Sequence, residues 1–282
     1  MSPSAIFLGS KPGAVAALRL LFENGWDIRA VVASESEPSW LPEPTLWEEA
    51  RKLGLLVLSS QSGLDSAKQV DLVISYMCRS KVSAKTRRLG KYAINFHAGP
   101  LPDYAGWAFY SMAILEGSPV YGCTCHIMED AFDTGAIVKE RHFDVDIENE
   151  TALSLERRAQ IEMICLFREV IDSYQEAGEL EVHAQDMTRF RYLNRATFDT
   201  LKRIPAEANA TQADAIARAF WYPPYEIAYY QLPNGDKVEV IPGIVKRGLA
   251  PELHADDLDV LLDSTVPGSE GRGRSTDGVE CG

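Results

Sequence analysis

The chain has 282 residues, with 28 Lys and Arg against 41 Asp and Glu, for a formal net charge of −13 at pH 7. An apolar fraction of 46% and a charged fraction of 24% suit a folded globular protein, and the length holds one large domain plus a small appendage. Binding of an extended RNA or DNA relies on Lys and Arg to neutralise phosphates, so the charge balance argues against such a partner and toward a small-molecule substrate. No apolar run nears the roughly 20 residues of a membrane-spanning helix, so no membrane association is expected. The opening MSPSAIFLGS has neither a basic region nor a long apolar stretch. Secretion is therefore not expected, and a cytoplasmic location is.

Ala5–Leu8 reads as a short buried strand that turns at Gly9-Ser10-Lys11-Pro12-Gly13 into a helix over 13–24, closed by Gly25. Ile28–Ala33 is the next strand. A loop rich in Glu, Ser and Pro follows from Ser34 to Pro44, and Thr45 with Glu48 makes a capping box for a second helix. Leu55–Leu58, Asp71–Tyr76 and Tyr92–His97 are further strands. This alternation predicts an α/β fold, a Rossmann-like and mostly parallel sheet with helices on both faces. Gly9 and Gly13 do not complete GxGxxG, so a dinucleotide fingerprint is absent. The backbone N–H groups of that turn, with Lys11, can hold an anion or can simply form a tight turn.

A helix at 107–116, strands at 120–127 and 136–144, and a long amphipathic helix at 151–177 complete a first domain, 1–185. Residues 186–263 predict a small C-terminal subdomain. It holds a helical piece at 213–219, a break at Phe220-Trp-Tyr-Pro-Pro-Tyr225, and two strands flanking the hairpin signal Pro-Asn234-Gly235-Asp. From 264 to 282 the apolar content is low, which predicts disorder.

Alternate residues of a strand face opposite ways, so Asn95 and His97 share one face while Ile94 and Phe96 enter the core. Both stand at the carboxyl end of their strand, where open α/β sheets bind ligands. Asp133, in Phe132-Asp133-Thr134-Gly135, lies 36 residues beyond His97. Burying such groups unpaired costs about 1–3 kcal/mol each, so they need partners or a task. The plain alternative is a histidine that only satisfies a loop carbonyl. Cys123-x-Cys125-His126 contains zinc-ligand types, but a strand puts both sulfurs on one face and the imidazole on the other. No metal is expected.

The run INFHAGPLPDYAGWAFYSMAILEG, followed by YGCTCHIMEDAFDTGAIV, resembles the formyltransferases that use 10-formyltetrahydrofolate. Their ordered pattern is Asn-x-His, a Leu-Pro-x-Tyr-x-Gly loop, a helix ending Ala-Ile-x-x-Gly, a Gly-x-Thr strand and Asp-x-Gly. Here it is met by Asn95 and His97, Leu101–Gly106, Ala113–Gly117, Gly122–Thr124 and Asp133–Gly135. The resemblance spans residues 5–145, with a weaker echo over 187–241. It implies a folate-dependent N-formyltransferase whose catalytic residues are Asn95, His97 and Asp133. Asn95 would donate to the oxyanion of the tetrahedral centre, a contribution of about 3 kcal/mol. His97 would serve as base, as acid or as a second oxyanion donor. Asp133 would orient and charge-stabilise His97, or shuttle protons through a water.

The resemblance also implies binding residues. The pterin of 10-formyltetrahydrofolate would lie between the loop holding Met77, Arg79, Lys81 and Val82 and the loop holding Met128, Asp130 and Phe132. The first loop departs from the family's more apolar, glycine-bearing sequence. Arg79 and Lys81 would meet the glutamate tail, or would join Lys85, Arg87, Arg88 and Lys91 on a solvated helix face. Ser10, Lys11, Gly99 and Tyr104 would help hold the acceptor.

The C-terminal section argues against the purine-pathway member of the family. The acidic charge, and Ala105 where the initiator-tRNA enzyme usually has Arg, argue against that member too. Phe220–Tyr225 with its hairpin resembles the nucleotide-sugar N-formyltransferases, which implies a nucleoside-diphosphate amino-dideoxy sugar of polysaccharide biosynthesis as acceptor. Trp221 and Tyr222 would stack on the nucleobase, at about 1–3 kcal/mol, or would plug the junction between domains. Trp107 would line the sugar pocket or be buried. Other small amines, methionyl-tRNA, and a non-enzymatic folate- or nucleotide-binding protein remain alternatives. A homodimer stays open.

Overall fold

In the computed structural model the described residues are 2–36, 38, 44–107 and 109–248. The tail expected at 264–282, and the end of the small subdomain beyond 248, lie outside them. Strands β1 (Ser4–Gly9), β2 (Asp27–Val32), β3 (Val57–Leu58), β4 (Val70–Tyr76) and β5 (Gly90–His97) alternate with helices α1 (Pro12–Glu23), α2 (Leu46–Lys52) and α3 (Ala84–Arg87). There follow β6 (Ala105–Gly106), α4 (Phe109–Glu116), β7 (Val120–Ile127), β8 (Ile137–Asp144) and α5 (Ala152–Ala177). The rest forms β9 (Tyr192–Leu193), α6 (Arg195–Leu201), α7 (Ala210–Ala219), β10 (Tyr229–Gln231), β11 (Lys237–Glu239) and α8 (Gly243–Lys246).

Seven strands form one mixed sheet in the order β3-β2-β1-β4-β5-β7-β8. β1 pairs in parallel with β2 and β4, β2 with β3, and β4 with β5, while β7 and β8 are antiparallel. This is the α/β architecture that the alternating strands and helices predict. The expected hairpin is β10–β11, with Tyr229 opposite Glu239. The chain packs as two compact units interleaved in sequence. One comprises residues up to Phe96 with Ile164–Leu180, the other His97–Met163 with the described residues from Glu181 onward.

In the first unit, local chemistry ends and starts the helices where the sequence signals them. Gly25 adopts φ +72°, its N–H bonds Phe22 O, and Trp26 N–H bonds Leu21 O, which closes α1. Thr45 and Glu48 form the capping box of α2. Leu55 N–H bonds Ala50 O to finish that helix, so the strand expected from Leu55 begins at Val57.

The core of this unit is an aromatic cluster. Phe7 of β1, Tyr76 of β4, Phe96 of β5 and Phe167 of α5 are all fully buried. Phe167 lies 4.9 Å from Phe96, 5.7 Å from Tyr76 and 6.4 Å from Phe7, ring centre to ring centre. Phe167→Ala is expected to destabilise the protein by about 3–5 kcal/mol. Urea titration checks this, and a loss under about 1 kcal/mol would show that the cluster is not tightly packed.

In the second unit, β6 and β9 pair in parallel, with Ala105 opposite Tyr192 and Gly106 opposite Leu193. Trp107 N–H bonds Leu193 O, so residue 107 stays outside the helix expected to begin there. The first half of α5 buries polar as well as apolar groups, including Ser154, Glu156 and Gln160. Gln160 donates to Glu156, and Tyr222 donates to the same carboxylate. A turn closed by Tyr225 N–H on Tyr222 O precedes β10, which starts at Tyr229.

Candidate active site

β5 delivers the first two groups. Phe96 is committed to the aromatic cluster, so the strand's alternation sends Asn95 and His97 to the opposite face. Asn95 is half-buried and His97 is buried. Beyond His97, β7 holds the chain with side chains. Tyr121 Oη donates to Ala98 O at 3.0 Å, while the Thr124 hydroxyl donates to Gly99 O at 2.9 Å and accepts Leu101 N–H at 3.1 Å. The Leu-Pro loop is thereby pinned at three backbone groups.

His97 Nε2 lies 2.8 Å from Tyr104 O. A carbonyl only accepts, so Nε2 carries a proton and donates it there. Nδ1 is then the ring nitrogen left for proton exchange, and it faces Asp133 Oδ1 at 3.9 Å. Phe109 packs edge-on against the imidazole, with ring centres 4.7 Å apart. Gly99 lies directly behind, where a Cβ would sit 2.9 Å from His97 Nε2 and 3.0 Å from Tyr104 O. Gly99→Ala is therefore expected to displace the imidazole and lower turnover by about 10-fold, given the sensitivity of catalysis to small misplacements. Steady-state kinetics checks it, and an unchanged rate would mean that the His97–Tyr104 bond does not matter.

Asp133 stands on backbone with φ +58°, a left-handed conformation that Asp tolerates better than most residues. Its Oδ2 accepts Gly106 N–H at 3.0 Å. Gly106 has φ +91°, and a Cβ there would meet Leu193 O at 2.5 Å, so only glycine fits beside β9. Asp133 Oδ1 also lies 3.6 Å from His126 Nε2, and His126 Nδ1 is 2.8 Å from Ile127 O. One carboxylate thus stands between two imidazoles. Burial pushes the Asp133 carboxyl up, but the His97 charge, the His126 contact and the Gly106 N–H outweigh it and hold the group well below the usual carboxylate range. Asp133 is ionised at neutral pH.

The segment from Gln185 to Arg195 grips the same loops. Gln185 Nε2 donates to Asp133 O at 3.0 Å and Gly135 O at 2.6 Å. Arg189 pairs with Asp103, and Arg191 forks onto Glu116 at 2.6 and 3.0 Å. The Arg191 guanidinium lies 5.4 Å over the Tyr104 ring, whose hydroxyl donates to Glu116. Arg195 lies 5.4 Å over the Trp107 ring, which is 58% exposed.

Other expected residues fall into local groups. The Ser10 hydroxyl donates to Met77 O at 2.9 Å and accepts Arg79 N–H at 3.2 Å, which ties the turn after β1 to the turn after β4. Met77 turns the chain out of β4 with φ +50°. Lys11 caps α1 through its backbone. Val82 is buried, while Arg79 and Lys81 are exposed. In the other loop Met128 is half-buried, and Asp130 and Phe132 are exposed. Trp221 O accepts Leu153 N–H at 3.2 Å, and the Tyr222 hydroxyl is engaged by Glu156, so both residues are tied to α5.

Sequence reasoning missed His126 and Gln185. The alternation that separates His126 from Cys123 and Cys125 also puts it on the face of Thr124, and that signal could have found it. Gln185 has no comparable signal.

The sequence pattern of the Formyl transferase family matches residues 61–171. The methionyl-tRNA formyltransferase of Lysinibacillus sphaericus (strain C3-41) is 28% identical over 172 residues, covering 56% of this chain and 54% of that protein. The GDP-perosamine N-formyltransferase of Brucella melitensis biotype 1 is 28% identical over 182 residues, covering 62% of this chain and 65% of its own. The chain thus spans less than two thirds of either relative. A crystal structure of the N-formyltransferase from Helicobacter canadensis, in complex with folinic acid and dTDP-3-aminofucose, shares the fold with a TM-score of 0.69 at 21% identity, over 83% of this chain and 85% of that one. The matched pattern runs from the turn before β4 to within α5, so that stretch of the chain is similar to the formyl transferase family.

Proposed function

We propose that the protein transfers a formyl group from 10-formyltetrahydrofolate to the primary amine of a nucleotide-linked amino-dideoxy sugar. The observation that carries this reading is His97 Nδ1 facing the ionised Asp133 at 3.9 Å, at the end of the strand that also bears Asn95. The Helicobacter structure holds a folate and a dTDP-amino sugar, and the Brucella relative is a GDP-perosamine N-formyltransferase. The first supports a folate donor, and both support a nucleotide-sugar acceptor.

The residues suit the donor. Phe132, 50% exposed next to Asp133, offers the donor an aromatic face. The donor, when bound, supplies a formyl carbon attached to nitrogen. Asn95 donates its amide N–H to the formyl oxygen as negative charge builds there. His97 Nδ1 takes the proton released by the attacking amine, while Asp133 stays ionised and stabilises the imidazolium. His97 then returns that proton to the departing nitrogen, so the proton count closes. On the acceptor side, Trp107 under Arg195 is the exposed stacking surface we favour, with the product bound for polysaccharide.

A methionyl-tRNA acceptor is the second reading, favoured by relatives such as the Lysinibacillus enzyme. The net charge of −13 weighs against it. The test is release of tetrahydrofolate from 10-formyltetrahydrofolate across nucleotide-linked 3-amino and 4-amino sugars, with methionyl-tRNA in parallel. Turnover with one sugar and a formyl mass increment on it supports the proposal. Turnover with tRNA alone overturns the acceptor, and no turnover with any acceptor overturns the sugar assignment outright.

A further inference from the structure

We infer that Gln185 is a positioning residue for Asp133, holding from behind the backbone on which the catalytic carboxylate stands; its role in turnover rests on the formyl-transfer reading above. Three observations carry this. Gln185 Nε2 has two hydrogens and meets two carbonyls, Asp133 O at 3.0 Å and Gly135 O at 2.6 Å. The opposite amide orientation would set oxygen against two oxygens, so the donor assignment follows from chemistry alone. The two carbonyls bracket Asp133, the left-handed residue of the loop. Such a conformation persists only where the surroundings over-determine it.

The third observation separates positioning from packing. Gln185 is 9% exposed, and its Oε1 is buried with no hydrogen-bond partner among the described residues. A side chain retained only to fill space would do better as leucine, without a buried unbonded oxygen. What the amide supplies is its donor end. The same segment also holds the carboxylate from the front. β9 pairs with β6, and Gly106 of β6 gives Asp133 Oδ2 its backbone N–H. Gln185 fixes the Asp133 main chain and β9 fixes the donor to its side chain, with His97 and His126 flanking Oδ1.

The test uses the full chain with Gln185→Leu and Gln185→Glu. The first readout needs no substrate: carbon-13 NMR titration of the Asp133 carboxyl. In Gln185→Leu the carboxyl is expected to titrate closer to an ordinary aspartate, because it no longer sits squarely between Gly106 N–H and the two imidazoles. The second readout is kinetic. Turnover by Gln185→Leu should fall about 10-fold with KM for donor and acceptor within about twofold of wild type, as misplacement of a catalytic group predicts. Gln185→Glu should be as slow at neutral pH and recover as the pH falls, since a protonated carboxyl can again donate to Gly135 O. An unmoved Asp133 titration in Gln185→Leu overturns the inference whether or not the enzyme turns over. So does a wild-type rate per folded molecule in both variants. A wild-type protein inactive with every acceptor would instead count against the formyl-transfer reading, with the titration still deciding the role of Gln185.

Discussion

His97→Asn is expected to lower turnover by about 10²-fold or more, the usual scale of a positioned acid–base group, with little loss of folded protein. Asparagine keeps a planar polar group about where Nδ1 faces Asp133, but its amide is not a base. It is too short to reach Tyr104 O, where His97 Nε2 now donates at 2.8 Å. His97→Gln, whose longer amide reaches that carbonyl, controls for the lost bond, and a similar drop in both variants assigns the loss to proton transfer. Turnover is measured by tetrahydrofolate release, and folding by thermal melting. Near wild-type turnover would remove His97 as the proton carrier and leave it as a loop-holding histidine.

Asp133→Asn is expected to cost more, on the order of 10⁴-fold, by analogy with the loss of the buried carboxylate that supports a catalytic imidazole. Asparagine can still accept Gly106 N–H, so the loop keeps its bond. The missing element is the negative charge between His97 and His126. Acceptor KM should stay close to wild type, and a large rise in it would show that the carboxylate binds substrate. A stability signature accompanies the kinetic one. The carboxyl is held well below its usual range in the folded protein, so its contribution is present above the unfolded value of about 3.9 and is lost as pH falls toward the folded value. The difference in urea midpoint between wild type and Asp133→Asn should therefore narrow below about pH 4. A difference independent of pH would mean that the neighbouring imidazoles do not hold the carboxylate ionised.

The parts of the fold legible in the sequence are those with strong periodicity or cap chemistry. The period-2 run Tyr92–His97 marks β5 and sets Asn95 and His97 on one face, and the capping signals at Thr45 and Gly25 mark real helix ends. Short elements escape for a physical reason. β6 and β9 have two residues each, too few for any alternation, and their pairing depends on Gly106 lying close to Leu193. α6 buries none of its residues, so it has no apolar stripe to read. Asp133 stands out through its Asp-x-Gly setting. The neighbours that set its charge, His97, His126 and Gly106, come from three separate strands, and only tertiary structure brings them to it. Tyr222, read as a base-stacking residue or a plug, proves to have its hydroxyl engaged by a buried glutamate of α5. No local pattern around Phe220–Tyr225 announces that partner.

The support beneath Asp133 also has a place in time. Gln185 reaches Asp133 across 52 positions of sequence, and Arg191 reaches Asp103 across 88. Everything between, including β7, β8 and α5, can make its own short-range hydrogen bonds before either link exists, because closing distant contacts is the slower event. A chain emerging from synthesis thus contains Asn95, His97 and Asp133 well before it can hold them in order. Order at Asp133 arrives only with the segment from Gln185 to β9, and a nick between α5 and β9 is expected to loosen that support without removing Asn95, His97 or Asp133.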